Sequence, residues 1–260
     1  MNMDKQNTKL VEAKIRFASE QRFMDRNREE NPSGRLPRGQ SKVKGLPVLD
    51  LGEQPEIPLE EWVLTVDGAT ERSIRLTWDD FSALPRAETI VDIHCVTSWS
   101  SFDNQWGGVR VADLIRLAQP IPAATHVMLH SADGYTTNVP LAEILEDDCL
   151  VATSWNGDPL SCSHGGPARL VIPHLYFWKS AKWIVRIEIL TKDAPGYWEQ
   201  RGYHNDGDPW KEQRYSTAPI QRNAPAEPAI APMPVIAEQA PAPTLLGRIS
   251  AWIRYNFFPD

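Results

Sequence analysis

His94-Cys95 closes a short apolar run, Thr89-Ile90-Val91-Asp92-Ile93, and opens a polar stretch, Val96-Thr97-Ser98-Trp99-Ser100. A thiol at the end of a strand is held by a rigid element and aimed at whatever lies beyond it. That suits a metal ligand or a nucleophile. A buried structural thiol is the plain alternative, since cysteine is among the most buried residue types. Further along, Ser161-Cys162-Ser163-His164-Gly165-Gly166-Pro167-Ala168-Arg169 reads as a small-residue loop entering a strand. Its two glycines let backbone approach a ligand closely, and Arg169 offers a planar, permanently charged fork for a phosphate. Tyr176-Phe177-Trp178-Lys179-Ser180-Ala181-Lys182-Trp183 sets two lysines around a small pair. Each of these bases alone reads equally well as a solvated charge. Together with Cys95 they describe a site for a large anionic cofactor that also offers a metal one sulfur.

Two other chemistries use the same residues. His94, Cys95, Cys162 and His164 carry zinc-ligating atoms. However, no C-x2-4-C knuckle is present, and neighbours on a strand point to opposite faces. A cysteine hydrolase needs only a histidine near the thiol in space, which sequence leaves open. A non-catalytic binding module that keeps the pocket is the third alternative.

These residues need elements to position them. Glu61–Gly68 alternates apolar and polar and ends in Asp-Gly, a strand and turn. Arg75–Trp78 gives the return strand, with Thr77 capping a short helix through Leu84. Trp106-Gly107-Gly108-Val109 reads as a turn into a helix at Val111–Ala118. Strands follow at His126–His130, Tyr135–Val139, Leu150–Trp155, Arg169–Pro173 and Trp183–Leu190, with a short helix at Leu141–Leu145. Short helices fall between strands without the regular alternation of a doubly wound sheet. The expectation is a mixed, strand-rich α+β domain.

The chain has 260 residues, 42% hydrophobic, with a formal net charge of −7. That balance, with no Lys- or Arg-rich run, gives no support to a nucleic-acid role. Ten tryptophans suit a core or pocket walls rich in aromatics. Three cysteines, Cys95, Cys149 and Cys162, argue against a disulfide framework. Met1–Leu10 has no apolar signal region, so the expected location is cytoplasmic.

Four segments are expected. Residues 1–45 form a charged arm and residues 46–216 the domain. Residues 217–243 form a proline-rich linker, and residues 244–260 an amphipathic helix. That helix is too short to span a bilayer, and docking on protein is favoured over contact with a membrane interface.

From Glu61 to Trp198 the chain resembles the molybdopterin-binding domain of the sulfite oxidase superfamily. It is most similar to the bacterial stand-alone sulfite oxidase-like oxidoreductases, related to the catalytic subunit of periplasmic methionine sulfoxide reductase. The motifs that carry this are His94–Ser100 with Trp106-x-Gly108-Val109, His130-Ser131-Ala132-Asp133-Gly134-Tyr135, His164–Pro173, and Tyr176-x-x-Lys179-Ser180-x-Lys182. The resemblance implies a strand-rich sheet or barrel domain with a molybdenum–molybdopterin cofactor. It further implies oxygen-atom transfer to or from a small substrate, such as a sulfoxide, and a separate electron-transfer partner.

By the same resemblance Cys95 gives its thiolate to molybdenum. Ser131 falls on a cofactor-contacting threonine and His164 on an asparagine. Arg169 falls on the arginine that binds the pterin phosphate, and Ser180, Ala181 and Lys182 on the phosphate-side loop. The family's N-terminal cofactor contacts have no clear counterpart here, and residues around Leu36–Gln40 are expected in their place. Sulfite oxidases carry an arginine in the loop after the cysteine. Val96–Ser100 has none, which disfavours sulfite as substrate.

Overall fold

The computed structural model describes residues 34–52 and 54–216. Most of the expected arm, the proline-rich linker and the amphipathic tail helix lie outside the described residues.

The strands follow the alternation of the sequence. In β2 (Val63–Gly68), Leu64 and Val66 are buried, and in β3 (Ile74–Thr77) so are Ile74 and Leu76. Each such side chain contributes about 1.5–3 kcal/mol on burial. Thr77 then starts α1 (Trp78–Ser82) with a reciprocal cap: it accepts from the Asp80 N–H, while the Asp80 carboxylate accepts from the Thr77 N–H. β4 (Ala87–His94) delivers Cys95. α2 (Val111–Ala118) is buried nearly all round and stops at Gln119, which is left-handed. β6 (His126–Ser131), β7 (Thr136–Pro140), α3 (Leu141–Ile144), β8 (Leu150–Trp155), β9 (Asp158–Pro159), β10 (Arg169–Val171) and β11 (Ile184–Leu190) complete the order. β1 (Ser41–Lys42) lies within the stretch expected to be arm and pairs in parallel with Trp99 and Ser100.

One element departs from expectation. Trp106-Gly107-Gly108-Val109 is not a turn. It lies inside a twelve-residue strand, β5 (Trp99–Arg110), which also absorbs the end of the expected loop after Cys95. The glycines serve packing between strands. A Cβ on Gly108 would sit 2.2 Å from the Val151 carbonyl oxygen, and one on Gly107 would sit 2.5 Å from Ser154 Oγ. The β5–β8 register shifts between these two glycines, so the bare backbone lets β8 close in at a bulge.

The strands form two mixed sheets. One runs β1–β5–β8–β10, with β4 on β5 and β9 on β8; the other runs β3–β2–β11–β6–β7. They meet where β10 leads to β11. Leu170 N–H donates to the Ala181 carbonyl, Ile184 N–H to Ala168, and Ala132 N–H to Trp183. This seam brings the end of β4, the end of β6 and the Ser180–Lys182 turn to one place.

The Gly108 contact yields a stability test. Gly108→Ala should lower unfolding free energy by about 1–3 kcal/mol, because the methyl group meets backbone that cannot move aside. Chemical denaturation against wild type measures it.

Candidate functional site

Cys95, Ser131, His164, Arg169, Ser180, Ala181 and Lys182 all line one cleft. Its volume is about 860 Å3 including the open mouth. The seven come from both sheets and from three separate turns, and the seam between the sheets gathers them.

Cys95 is 5% exposed, at the cleft floor. Its N–H donates to the Trp99 carbonyl, and its own carbonyl accepts from Ser98 N–H and from Gln40 Nε2 at 2.9 Å. Ser98 sits at φ +70, which lets this tight turn close. Cys95 Sγ lies 3.1 Å from Thr97 Oγ1. His94 does not line the cleft. Its Nδ1 is 2.8 Å from Ser100 Oγ, and burial pushes its pKa down to about 4, so the ring is neutral.

Arg169 is almost fully buried. Nε donates to the Leu170 carbonyl, Nη1 to His164 and Nη2 to Ser180. The guanidinium lies 4.2 Å from the Phe177 ring centre. No carboxylate pairs with it among the described residues, and burial presses its pKa toward about 9. Lys182 is the second cation. Burial first, and Arg169 second, push its pKa down to about 8, against the attraction of Asp50 at 3.6 Å. Gly165 brings these two together: a Cβ there would lie 2.9 Å from that of Lys182 and 3.1 Å from that of Arg169.

Burial works to raise the Asp50 carboxyl. Bonds from Gln54 and the Gly52 N–H, with the Lys182 charge, nevertheless hold it below its ordinary value. Asp133 shares the cleft, and burial raises its carboxyl. Trp99, Tyr135, Phe177, Trp198 and Tyr203 supply aromatic wall.

Whether these residues fit a pterin with a phosphate is tested by their unmet valences. Ser131 Oγ and Trp99 Nε1 are buried, line the cleft and have no hydrogen-bond partner. Buried polar groups are rarely left so. With a desolvated cation pair beside them, the cleft asks for a polar, anionic guest. The donors present fit such a group.

The other chemistries fare worse. Both ring nitrogens of His164 are engaged, Nδ1 with Ser161 Oγ at 2.9 Å and Nε2 with the Leu46 carbonyl at 3.1 Å. The ring is thus a brace, and it reaches Arg169 through its carbonyl. It is poorly placed to act as a base for Cys95. The four-residue zinc set does not assemble: Cys162 Sγ turns to the carbonyls of Gln54 and Pro55. Leu36–Gln40 do not line the cleft; Leu46–Leu51 do, and Gln40 works from behind Cys95. The Leu46–Leu51 wall was missed because it has no periodicity and no motif.

The fold and this cleft define an oxidoreductase domain for a large anionic cofactor. The family model described as "oxidoreductase molybdopterin binding domain" matches residues 51–198. The chain belongs to this family and is a molybdopterin-binding oxidoreductase. It is 43% identical over 195 residues to an uncharacterized oxidoreductase, YuiH, of Bacillus subtilis, covering 75% of this chain and 98% of that one. It is 30% identical over 157 residues to the protein-methionine-sulfoxide reductase catalytic subunit MsrP of Gluconobacter oxydans, covering 54% of this chain and 50% of the relative. Against mitochondrial sulfite oxidase of Drosophila melanogaster it is 28% identical, spanning only 30% of that longer protein. A solved structure of the sulfane dehydrogenase SoxCD from Paracoccus pantotrophus superposes on 54% of the chain, and on 40% of its own, with a TM-score of 0.49 at 23% identity.

The cation pair generates a pH test. In cofactor-free protein the charged Lys182 is strained below about pH 8. That strain is relieved between there and its ordinary value of 10.5, so this group makes stability rise with pH in that window. A bound anion acts in the opposite direction. Pyrophosphate should raise the melting temperature at pH 7 and lose part of that effect by pH 9, as Lys182 loses its proton. Thermal shift at both pH values, with Lys182→Met as control, measures it.

Proposed function

We propose that the protein transfers an oxygen atom to or from a small substrate, with Cys95 as the protein's ligand to molybdenum. The observation that carries this is the cleft itself, with a fixed sulfur on one wall and a buried, unpaired cation on another. When bound, the cofactor supplies the metal whose redox change accompanies the transfer. The chain's part is to hold it. Arg169 and Lys182 face the phosphate end. Ser180 and Ala181 of the adjoining turn would lie on the phosphate side with them, and Ser131 would contact the polar ring system. His164 holds the loop that carries the phosphate contacts.

A sulfoxide is the favoured substrate class. Its reduction takes up two electrons and two protons and yields a thioether and water. Aromatic walls, with the exposed side chains of Val48 and Leu49 at the cleft, suit apolar substituents on sulfur. The loop after Cys95 has no arginine to clamp an oxyanion. The relative MsrP acts on protein methionine sulfoxide by its name, which supports the same class.

The electrons come from a separate partner in this reading; the sequence has only three cysteines and no C-x-x-C-H motif, so it offers neither a c-type haem attachment nor a four-cysteine iron–sulfur cluster. A reducing, cytoplasmic setting agrees with three thiols that form no disulfide. No helix among the described residues is long and apolar enough to cross a membrane.

Cys95→Ala should abolish dye-driven sulfoxide reduction while pterin remains bound, since the pterin contacts are spread over other residues. Activity and pterin fluorescence on the same preparation test this, and full turnover without the thiol would refute the ligand assignment. Arg169→Ala should lower molybdenum content more than Arg169→Lys, because lysine keeps a charge near the phosphate. Equal metal content in both variants and wild type would refute the phosphate role.

A further inference from the structure

A second cluster of ligating atoms lies apart from the cleft. β8 and β10 are antiparallel, with Val171 opposite Leu150. The residue before β8, Cys149, and the chain leaving β10, which reaches His174, therefore arrive at one end of the sheet. α3 lies across the same end and contributes Glu143. Among these, one ligand atom each from Asp148, Cys149 and His174 all lie within 4.8 Å of one another. Cys149 Sγ is 3.9 Å from Asp148 Oδ1, and His174 Nε2 is 3.0 Å from Glu143 Oε2. None of the four residues lines the cofactor cleft.

We propose that Glu143, Asp148, Cys149 and His174 form a zinc-binding site. The donor set is one thiol, one imidazole and two carboxylates, each a ligand type that zinc takes in tetrahedral sites. Bonds of about 2.0–2.3 Å in a tetrahedron place neighbouring ligand atoms about 3.3–3.7 Å apart. Asp148, Cys149 and His174 already hold their ligand atoms within 4.8 Å of one another, and Glu143 stands beside His174, so an ion draws these three together and recruits Glu143 as the fourth ligand.

An independent observation points to a ligand. His174 Nε2 is buried and makes no hydrogen bond, although a carboxylate oxygen stands 3.0 Å away. It faces that oxygen without the alignment an N–H donor needs. A shared cation would satisfy both.

Charge agrees. Glu143, Glu146, Asp147, Asp148 and His174 surround an opening at the surface, which gives an entry path. Among the described residues no lysine or arginine forms an ion pair with any of these four acids. Lys211, the base that senses Glu143, is paired to Asp208 at 2.9 Å. A dication would neutralise the cluster and displace the thiol proton on binding.

The test uses the full-length, cofactor-loaded protein after chelator treatment and dialysis. Zinc titration followed by native mass spectrometry and calorimetry should show one ion taken up per chain. Cys149→Ser and His174→Ala should each weaken binding by more than about tenfold. Cobalt in place of zinc should give thiolate-to-metal charge-transfer absorption that persists in Cys95→Ser and disappears in Cys149→Ser. Failure of wild type to bind zinc would overturn the proposal. So would binding that survives in His174→Ala, or a cobalt band that depends on Cys95 instead. The His174 variant alters a partly exposed side chain and keeps the test decisive if the buried Cys149 substitution fails to fold.

Discussion

The cleft depends on one costly placement: a guanidinium buried with no counter-ion among the described residues. Arg169 spends its donors on the carbonyls of Leu170, His164 and Ser180, which belong to its own strand and to two loops that border the cleft. The side chain therefore ties the loops together while its charge stays unneutralised. Lys179, ten residues on, shows the usual solution. It is equally buried, but it pairs with Glu199 at 2.7 Å and also donates to Asn138. Burying a charge without a partner is strongly unfavourable, so two buried cations treated so differently call for two explanations. Lys179 is structural. Arg169 is held ready for an anion that comes from outside the chain.

The sulfur is fixed by a different device. Cys95 and Val96 turn their carbonyls away from the cleft, and distant donors hold them there. Gln40 donates to Cys95, and Arg214 donates to Val96 at 2.7 Å and to Arg38. Residues from both ends of the described chain thus grip the backbone behind the thiol. Tyr176, stacked under the Arg214 guanidinium at 5.0 Å, completes the support. A sulfur that is to serve as the proposed metal ligand needs such backing, because the turn after β4 is too short to be rigid by itself.

What the sequence made legible follows the range of the interaction. Strands announced themselves through two-residue alternation, and Thr77 through its capping spacing. Cys95, Arg169 and the Ser180–Lys182 turn stand out because their motifs are local: a strand-end cysteine, a glycine pair ahead of an arginine, two lysines around small residues. Ser131 and His164 are reached only through the family resemblance, and the structure places all of them on one cleft. The misses share one cause. Gly107-Gly108 looks like a turn when read alone, and only the approach of β8, more than forty residues later, makes it a strand. Leu46–Leu51 form a cleft wall because of what they face, and nothing in their own order signals it. Gln40 and Arg214 act across long loops, and an isolated glutamine or arginine carries no mark of such a role. The Cys149–His174 cluster was invisible for the same reason, since sheet pairing alone brings those residues together.

The distribution of charge along the cleft bears on what it admits. Its cations sit at one end, where the proposed phosphate contacts would engage them. Asp50 stays ionised beside Lys182, and Asp133 is the other acid of the lining. Were Arg169 and Lys182 engaged by a cofactor as proposed, the lining away from them would be rich in aromatic and aliphatic side chains, among them Trp99, Phe177, Trp198, Val48 and Leu49. An oxyanion entering such a space would be desolvated against apolar rings and, with both cations taken, find no guanidinium to replace its water. A neutral sulfoxide has a strong dipole and no net charge. It loses less on desolvation and can lay its carbon substituents against Trp99, Phe177 and Trp198. On the proposed assignment, the burial that makes the cation end attractive to an anion leaves the apolar part of the cleft unfavourable to one. That contrast within a single cleft is the physical argument for proposing a neutral oxygen-atom donor rather than sulfite.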